Sequence, residues 1–459
     1  MRRNRFLDSS LRPVAFGILL AASASGGWRT PPGYPSLRPA SQQAFLQQVN
    51  LPELWLSLEG CDPSPVAGAC GRIPSLLVGA DEPVDPSLTY AVFIRMDQRE
   101  VECAGPPCVV TLEETGADGV EVEFWALSVA DKRGRTFTAR VRVLSTADPT
   151  EGGSVAWYVQ VLSPQWRGDP VDACAVAWDT FPPPGPSPHW LATPDDDAEL
   201  ATHVVYHYLA ARLITAGAVD VGECPDGGLL EGGVPSACGA EEAQAMVYEW
   251  QNQFDQAVGT SARRSTIPAW VIKGVIAEES QFWAATVVEP GEYGLGHLTE
   301  QGADNTLLWN KQFYDAFCPK VLGETYCGKG YAHQSDYRRA LLRGSLIADV
   351  DADCPDCELG VDTARAEEGV SILSATLGAY CLQTGRMVSN VTREAPGRDS
   401  SYEDMWKLTL ASYASGPGCV AEALKAAWRQ TGAVNWVSVS GEFSEACAGA
   451  RNYVDHVAR

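Results

Sequence analysis

The chain has 459 residues, 14 cysteines and a formal charge of −24. That length exceeds one ordinary domain, so two or three are expected. The negative charge argues against nucleic acid or an anionic membrane surface as a partner.

In chain order, Arg2, Arg3 and Arg5 precede the apolar run Val14–Ala22 and the small-residue site Ala22-Ser23-Ala24. This pattern predicts an export signal over residues 1–24. No cysteine follows the apolar run, which argues against a lipid anchor. No later apolar stretch approaches the roughly 20 residues of a membrane span. The mature protein is therefore expected to be soluble, monomeric and either secreted or held in the cell envelope. Residues 25–50 are rich in Gly, Pro and Ser and read as a flexible tether.

From 51 to 165 the texture is that of strands. Leu54–Leu58, Tyr90–Arg95, Val120–Leu127 and Thr136–Val143 alternate apolar and polar residues. The last two predict a hairpin about an Asp131-Lys-Arg-Gly134 turn. Residues 166–195 contain the run Phe181-Pro-Pro-Pro-Gly-Pro-Ser-Pro188 and read as a linker. Beyond 196 the pattern is helical, with candidates at Leu200–Thr215, Ala240–Val258, Pro268–Glu279, Ala364–Leu382, Met405–Ser412 and Val420–Gln430. No internal repeat is evident.

An even cysteine count behind an export signal implies disulfides. Cys61 and Cys70, Cys103 and Cys108, Cys224 and Cys238, and Cys318 and Cys327 are close enough in sequence to staple loops. Spacing alone leaves the full connectivity open. Cys354-Pro-Asp-Cys357 lacks the second ligand pair of a zinc site and the βαβ setting of a redox motif, so a structural disulfide is expected.

One carboxylate stands out. Ile272, Val275 and Ile276 mark the apolar face of a helix entered at Pro268. Glu279 follows them at seven, four and three residues, on the same face, while Glu278 points about 100° away. A carboxyl walled by apolar groups has its charged form desolvated, so it holds its proton and can act as a general acid. Helix geometry leaves a second reading open, a helix-terminal Glu that reaches water.

Glu279-Ser280-x-Phe282 followed by Gly291-x-x-Gly294-Leu295 resembles the first motif of the soluble lytic transglycosylases, E-S-x-F-N-P followed by G-A-x-G-L-M-Q. Leu410-Ala-Ser-Tyr413-Ala-Ser-Gly416-Pro417-Gly418-Cys-Val420 is similar to the family's L-A-A-Y-N-A-G-P-G-x-V. Ala450-Arg451-Asn452-Tyr453-Val454-Asp455-His456-Val457 resembles its closing T-R-x-Y-V-x-x-V. The three blocks occur in the family order. The hairpin is similar to the closing hairpin of bacterial immunoglobulin-like modules. The expected fold is therefore multidomain α and β, with an immunoglobulin-like β-sandwich over 51–165 and a mainly-α lysozyme-like domain over 196–459. The stretch between Asn305 and Ala364 is an insert that the motifs do not explain.

The resemblance implies cleavage of the β-1,4 bond between N-acetylmuramic acid and N-acetylglucosamine in peptidoglycan glycan strands. Glu279 would protonate the bridging oxygen, then act as base on the muramic 6-hydroxyl, leaving a 1,6-anhydro product. The tethered hydroxyl has a high effective concentration, so no activated water is needed. The resemblance further implies a substrate cleft lined by Ser280, Gly294, Leu295, His297 and Tyr413, with Tyr413 hydrogen-bonding near Glu279. No cofactor or metal is expected.

Four departures from the family matter. His297 stands at its Gln, Gly296 at its Met, Trp283-Ala284 at its Asn-Pro and Ala414 at its Asn. A charged His297 would favour ionised Glu279 and weaken it as an acid. Other signals are weak. Asp349-x-Asp351-x-Asp353 begins like a calcium loop, but Cys354 replaces the needed Gly and Gly360 the closing Glu. His203 and His207 have helical spacing without the Glu of a zincin. Two rival readings stand beside the transglycosylase. One is a hydrolytic muramidase that recruits a second carboxylate. The other is a glycan-binding surface protein whose lysozyme-like domain has lost activity.

Overall fold

The structure is a computed structural model that describes residues 51–459 except 63, 65–67, 82–89, 129–132, 147–154, 169–171 and 289–290. The expected signal over 1–24 and tether over 25–50 lie outside the described residues, as does part of the Asp131–Gly134 turn.

Eight strands are described: β1 (Leu54–Glu59), β2 (Ser75–Ala80), β3 (Tyr90–Met96), β4 (Arg99–Cys103), β5 (Cys108–Thr111), β6 (Val120–Ser128), β7 (Phe137–Ser145) and β8 (Trp157–Leu162). They form two antiparallel sheets, ordered β1-β2-β5 and β4-β3-β6-β7-β8. The alternation that predicts strands also fixes their inner faces. Val122, Phe124 and Ala126 from one sheet and Leu54, Leu56, Leu76 and Val78 from the other share one buried cluster. The expected hairpin is present: β6 pairs with β7 in register Val120↔Val141 to Phe124↔Phe137.

The helices are α1 (Ala173–Trp178), α2 (His207–Thr215), α3 (Ala237–Asn252), α4 (Asp255–Ser265), α5 (Ala269–Glu279), α6 (Glu300–Trp309) and α7 (Lys311–Leu322). They continue as α8 (Glu324–Cys327), α9 (Asp336–Val350), α10 (Thr363–Thr392), α11 (Tyr402–Ser415), α12 (Pro417–Thr431), α13 (Trp436–Gly441) and α14 (Gly449–Val457). The long α10 is the axis, packed by α4, α6, α9, α11 and α12. Helix α5 is buried nearly all round: Val271, Ile272, Val275 and Ile276 are fully enclosed. Truncating one of them, as in Ile276→Ala, should cost about 2–5 kcal/mol through the cavity left behind.

Two expected helices differ. Leu200–Thr215 is helical only from His207, because the side chains of Gln251 and Asn252 take the backbone partners of 202–204. Asn252 accepts from Thr202 N (2.9 Å) and donates to Thr202 O (2.9 Å), and Gln251 donates to Val204 O (3.0 Å). An extended segment so satisfied has no need of helical bonds. His203 and His207 therefore do not share a helix. Ala240–Val258 is two helices, broken where Phe254 turns into the core. The stretch from 306 to 363 builds α7, α8 and α9 around a small core of its own, including Tyr314, Phe317, Leu342 and Leu346.

All fourteen cysteines are paired. The four close pairs and Cys354–Cys357 form as their spacing suggests. The remaining bonds, Cys174–Cys381 and Cys419–Cys447, are long-range. Cys174 lies in the 166–195 connection, whose residues from 172 onward are packed rather than loose. Trp178 is fully buried and donates from its indole to Cys381 O (2.8 Å), and Arg140 on β7 pairs with Asp179 at 2.7 Å. Residues 50–459 form one compact unit. Among the described residues no helix is long and apolar enough to cross a membrane.

Candidate active site

Glu279 is the last residue of α5, with only 18 % of its side chain exposed. The helix that carries it is fixed from within. Lys273, one and a half turns earlier, is buried and donates to Asp255 (2.5 Å), Asn252 Oδ1 (2.9 Å) and Leu200 O (2.6 Å). Beyond Glu279 the chain turns sharply, with Gln281 at φ 45° and Phe282 at φ 66°. Left-handed backbone at non-glycine residues is costly, about 1–3 kcal/mol each, and persists only where the surroundings enforce it. Here the Gln281 side chain accepts from Tyr208 N (2.9 Å), and Phe282 O accepts from the Trp250 indole (2.8 Å).

Facing Glu279 is a closed loop. Tyr293 and Leu298 exchange backbone hydrogen bonds, leaving Gly294-Leu295-Gly296-His297 as the connection. Gly294 has φ +67°, and a Cβ there would lie 2.5 Å from Val350 O. At Gly296 a Cβ would lie 2.7 Å from a Leu373 methyl, so a side chain at the place of the family's Met would require Leu373 to shift. Ser280 Oγ donates to Leu295 O (2.8 Å), and Tyr413 Oη donates to Gly296 O. Two residues from separate motifs thus fasten adjacent carbonyls of one loop. Leu295 is buried beneath it. The tightened turn leaves His297 at φ 47° with its ring toward Glu279.

The expected site residues are therefore brought together, with divided tasks. Ser280, Gly294, Leu295 and Tyr413 hold the loop. His297 is the one whose side chain approaches the Glu279 carboxylate, with Nδ1 3.7 Å from Oε2. Tyr413 feels the charge of Glu279 but does not bond it. The hydrogen bond belongs to Tyr453 on α14, whose hydroxyl donates to Glu279 Oε1 at 2.7 Å. Tyr453 lies in the third motif, and no sequence argument gives it that role. Tyr380 on α10 stacks edge-on against Tyr413 at 5.2 Å between centroids and also lies in the field of Glu279. Glu292, just before the loop, places Oε2 3.4 Å from His297 Nδ1. Glu278 turns the other way and meets His456 at 3.0 Å.

These surroundings decide the protonation of Glu279. Burial pushes its pKa from 4.5 to about 7, the Tyr453 hydroxyl pulls it down, and the charges of Glu292 and Glu278 push it up. The negative end of the α5 dipole acts in the same upward direction. Burial lowers the pKa of His297, opposed by Glu292. Burial thus works against the charged His297 that would weaken Glu279 as an acid. With Oε1 taken by Tyr453, Oε2 is the oxygen left to carry the proton. A carboxyl held near neutrality in this way can give a proton and take it back, as general acid–base chemistry requires.

Among the described residues no cluster of His, Cys, Asp or Glu is arranged to hold a metal ion. The Asp351 and Asp353 carboxylates of the calcium-like pattern instead accept from Thr286 Oγ1 (2.7 Å) and Thr286 N (2.9 Å), tying the segment after Glu279 to the α9–α10 connection. Comparison of the chain with protein-family models, with curated proteins and with solved structures finds no match.

Proposed function

We propose that the protein is an exported peptidoglycan lytic transglycosylase with Glu279 as its single acid, then base. The observation that carries the reading is the setting of that carboxyl. It ends a buried helix, is bonded by a tyrosine and meets no Lys or Arg among the described residues, and its pKa is pushed to about 7. In the proposed step Glu279 Oε2–H protonates the bridging oxygen as the glycosidic bond breaks. The substrate's N-acetyl group stabilises the cationic carbon, and the carboxylate then removes the 6-hydroxyl proton as that oxygen closes the 1,6-anhydro ring. The tyrosine hydroxyl stays on Oε1 throughout and keeps the carboxyl aimed. The loop around His297 forms the opposite wall.

The strand order supports an immunoglobulin-like reading of the N-terminal part. Strands one, two and five share a sheet, and four, three, six and seven run in that order in the other, the arrangement of A-B-E against C′-C-F-G, with β8 added at the edge. The helical part, with an acid at a helix end opposite a short loop, supports the lysozyme-like reading. Seven disulfides fit an oxidising compartment. Mass spectrometry of peptidoglycan digested by the mature protein tests the activity. Anhydro-ended muropeptides are expected from the native chain and not from Glu279→Gln, and their absence from both would end the reading.

A further inference from the structure

The site holds a second carboxylate that a single-acid mechanism does not use. Glu292 is set firmly: its backbone pairs with Val287 in both directions (2.9 and 3.0 Å), and the next residue, Tyr293, closes the loop with Leu298. In the motif that this segment resembles, its place is taken by alanine. Its ion-pair partner among the described residues is His297 alone. A carboxylate present for structure normally meets Arg, Lys or several backbone N–H groups. This one meets a largely enclosed imidazole that also touches the catalytic acid.

The geometry resembles a working pair. Glu292 Oε2 and Glu279 Oε2 approach the same nitrogen, at 3.4 and 3.7 Å. The two oxygens are therefore at most about 7.1 Å apart, no farther than glycosidase carboxyl pairs, which stand roughly 5–9.5 Å apart. The two differ in access to water, with 28 % of the Glu292 side chain exposed against 18 % for Glu279. Such an asymmetry lets a more enclosed acid and a wetter base divide their roles.

We infer that Glu292 is a second catalytic carboxylate, positioned by His297, which lets water compete with the sugar's own 6-hydroxyl, so that this chain releases reducing ends alongside 1,6-anhydro ends. This rests on the glycan-cleaving reading above and adds a hydrolytic branch to it. The first step is shared: the Glu279 proton goes to the bridging oxygen, the bond from that oxygen to the anomeric carbon breaks, and the N-acetyl carbonyl oxygen bonds that carbon. In the anhydro branch the 6-oxygen displaces the carbonyl oxygen and its proton returns to Glu279. In the hydrolytic branch a water oxygen displaces it and the water's proton goes to Glu292. Glu292 then releases this proton to solvent, and Glu279 regains one.

Digestion of purified peptidoglycan in ¹⁸O-water by the mature protein, read by mass spectrometry, separates the branches. The native chain should give both anhydro ends and ¹⁸O-labelled reducing ends. In Glu292→Gln the ratio of labelled to anhydro ends should fall about tenfold or more, within the range typical for a lost general base. The ratio is the readout, because losing the Glu292 charge also lowers the pKa of Glu279 and slows both branches. Glu292→Asp, which keeps a carboxylate, should retain part of the ratio, and His297→Gln should lower it without removing it. Anhydro ends alone from the native chain would overturn the inference and leave the transglycosylase standing, as would a ratio unchanged in Glu292→Gln. Labelled ends alone, lost in Glu292→Gln, would support Glu292 while overturning the anhydro-forming reading. No cleavage by the native chain would overturn both.

Discussion

Helix α5 buries ionisable groups in its middle and at its end, and the two places are built in opposite ways. In the middle, Lys273 has three acceptors around it, one of them the Asp255 carboxylate at 2.5 Å. Burial pushes the Asp255 pKa up and that of Lys273 down, and each partner restores the other's charge. At the end, Glu279 has one neutral donor, Tyr453, and its charged neighbours Glu292 and Glu278 are of its own sign. Burial alone therefore does not mark a site. A buried charge with a counter-charge supports the fold, whereas a buried carboxyl left with neutral donors and like charges holds a proton it can give away.

The contrast should show first in activity. Glu279→Gln is nearly isosteric and should lower glycan cleavage by about 10²–10⁴-fold, the usual contribution of a general acid, with circular dichroism and glycan binding unchanged. Glu278→Gln, one residue away but paired with the exposed His456, should keep most of the activity.

Lys273→Met should leave cleavage chemistry intact where the protein folds but cost about 3–5 kcal/mol, because Asp255 would be buried without its counter-charge. A lowered midpoint of thermal unfolding would register this. Adding Asp255→Leu should recover most of the loss. If Lys273→Met proves silent in stability, the account of the helix middle is wrong.

Glu279 should behave in the reverse sense. Its folded pKa lies above its unfolded value, so the folded state binds the extra proton between pH 4.5 and about 7. Stability should therefore fall as pH rises through that window, by about 3 kcal/mol in total, and stay reduced above it. Glu279→Gln removes the charge and should unfold at a higher temperature than the native chain at pH 8, with little difference at pH 4. Equal differences at both pH values would contradict the desolvated acid.

Tyr453→Phe keeps the ring and deletes the donor that pulls the Glu279 pKa down. Cleavage needs the protonated acid and declines as pH rises through its pKa, so the alkaline limb should move upward while the maximal rate drops several-fold, the worth of about one hydrogen bond. The smallest effect is expected at His297. Burial disfavours its charged form, so His297→Gln should move that limb little. A large upward movement would mean that His297 carries a charge in the folded protein.

Much of this organisation was legible in the sequence. The three-, four- and seven-residue spacings placed Glu279 on the buried face of α5, and alternation placed the β6–β7 hairpin. Cysteine proximity suggested five of the seven bonds. What was not legible depended on residues far apart in the chain. Tyr453 reaches Glu279 across 174 positions, and Tyr380 belongs to no motif. Glu292 gains meaning only once the loop closes and brings His297 between two carboxylates. The failure at 200–206 has the same origin: a helical pattern is overruled when distant amide side chains satisfy the backbone in another way. Ser280 and Tyr413 show the subtler limit, since the motifs mark both for the site but only the folded chain shows that they fasten adjacent carbonyls of one loop.

The central claim is that Glu279 keeps its proton in the folded protein at a pH where an ordinary carboxyl has lost it. Infrared difference spectra between the native chain and Glu279→Gln, recorded across pH, isolate the protonated carbonyl band of this one residue. The band should persist to neutrality and disappear with a midpoint near pH 7. A midpoint near 4.5, the ordinary value, would mean that the site is wet and that Glu279 is not the proton donor.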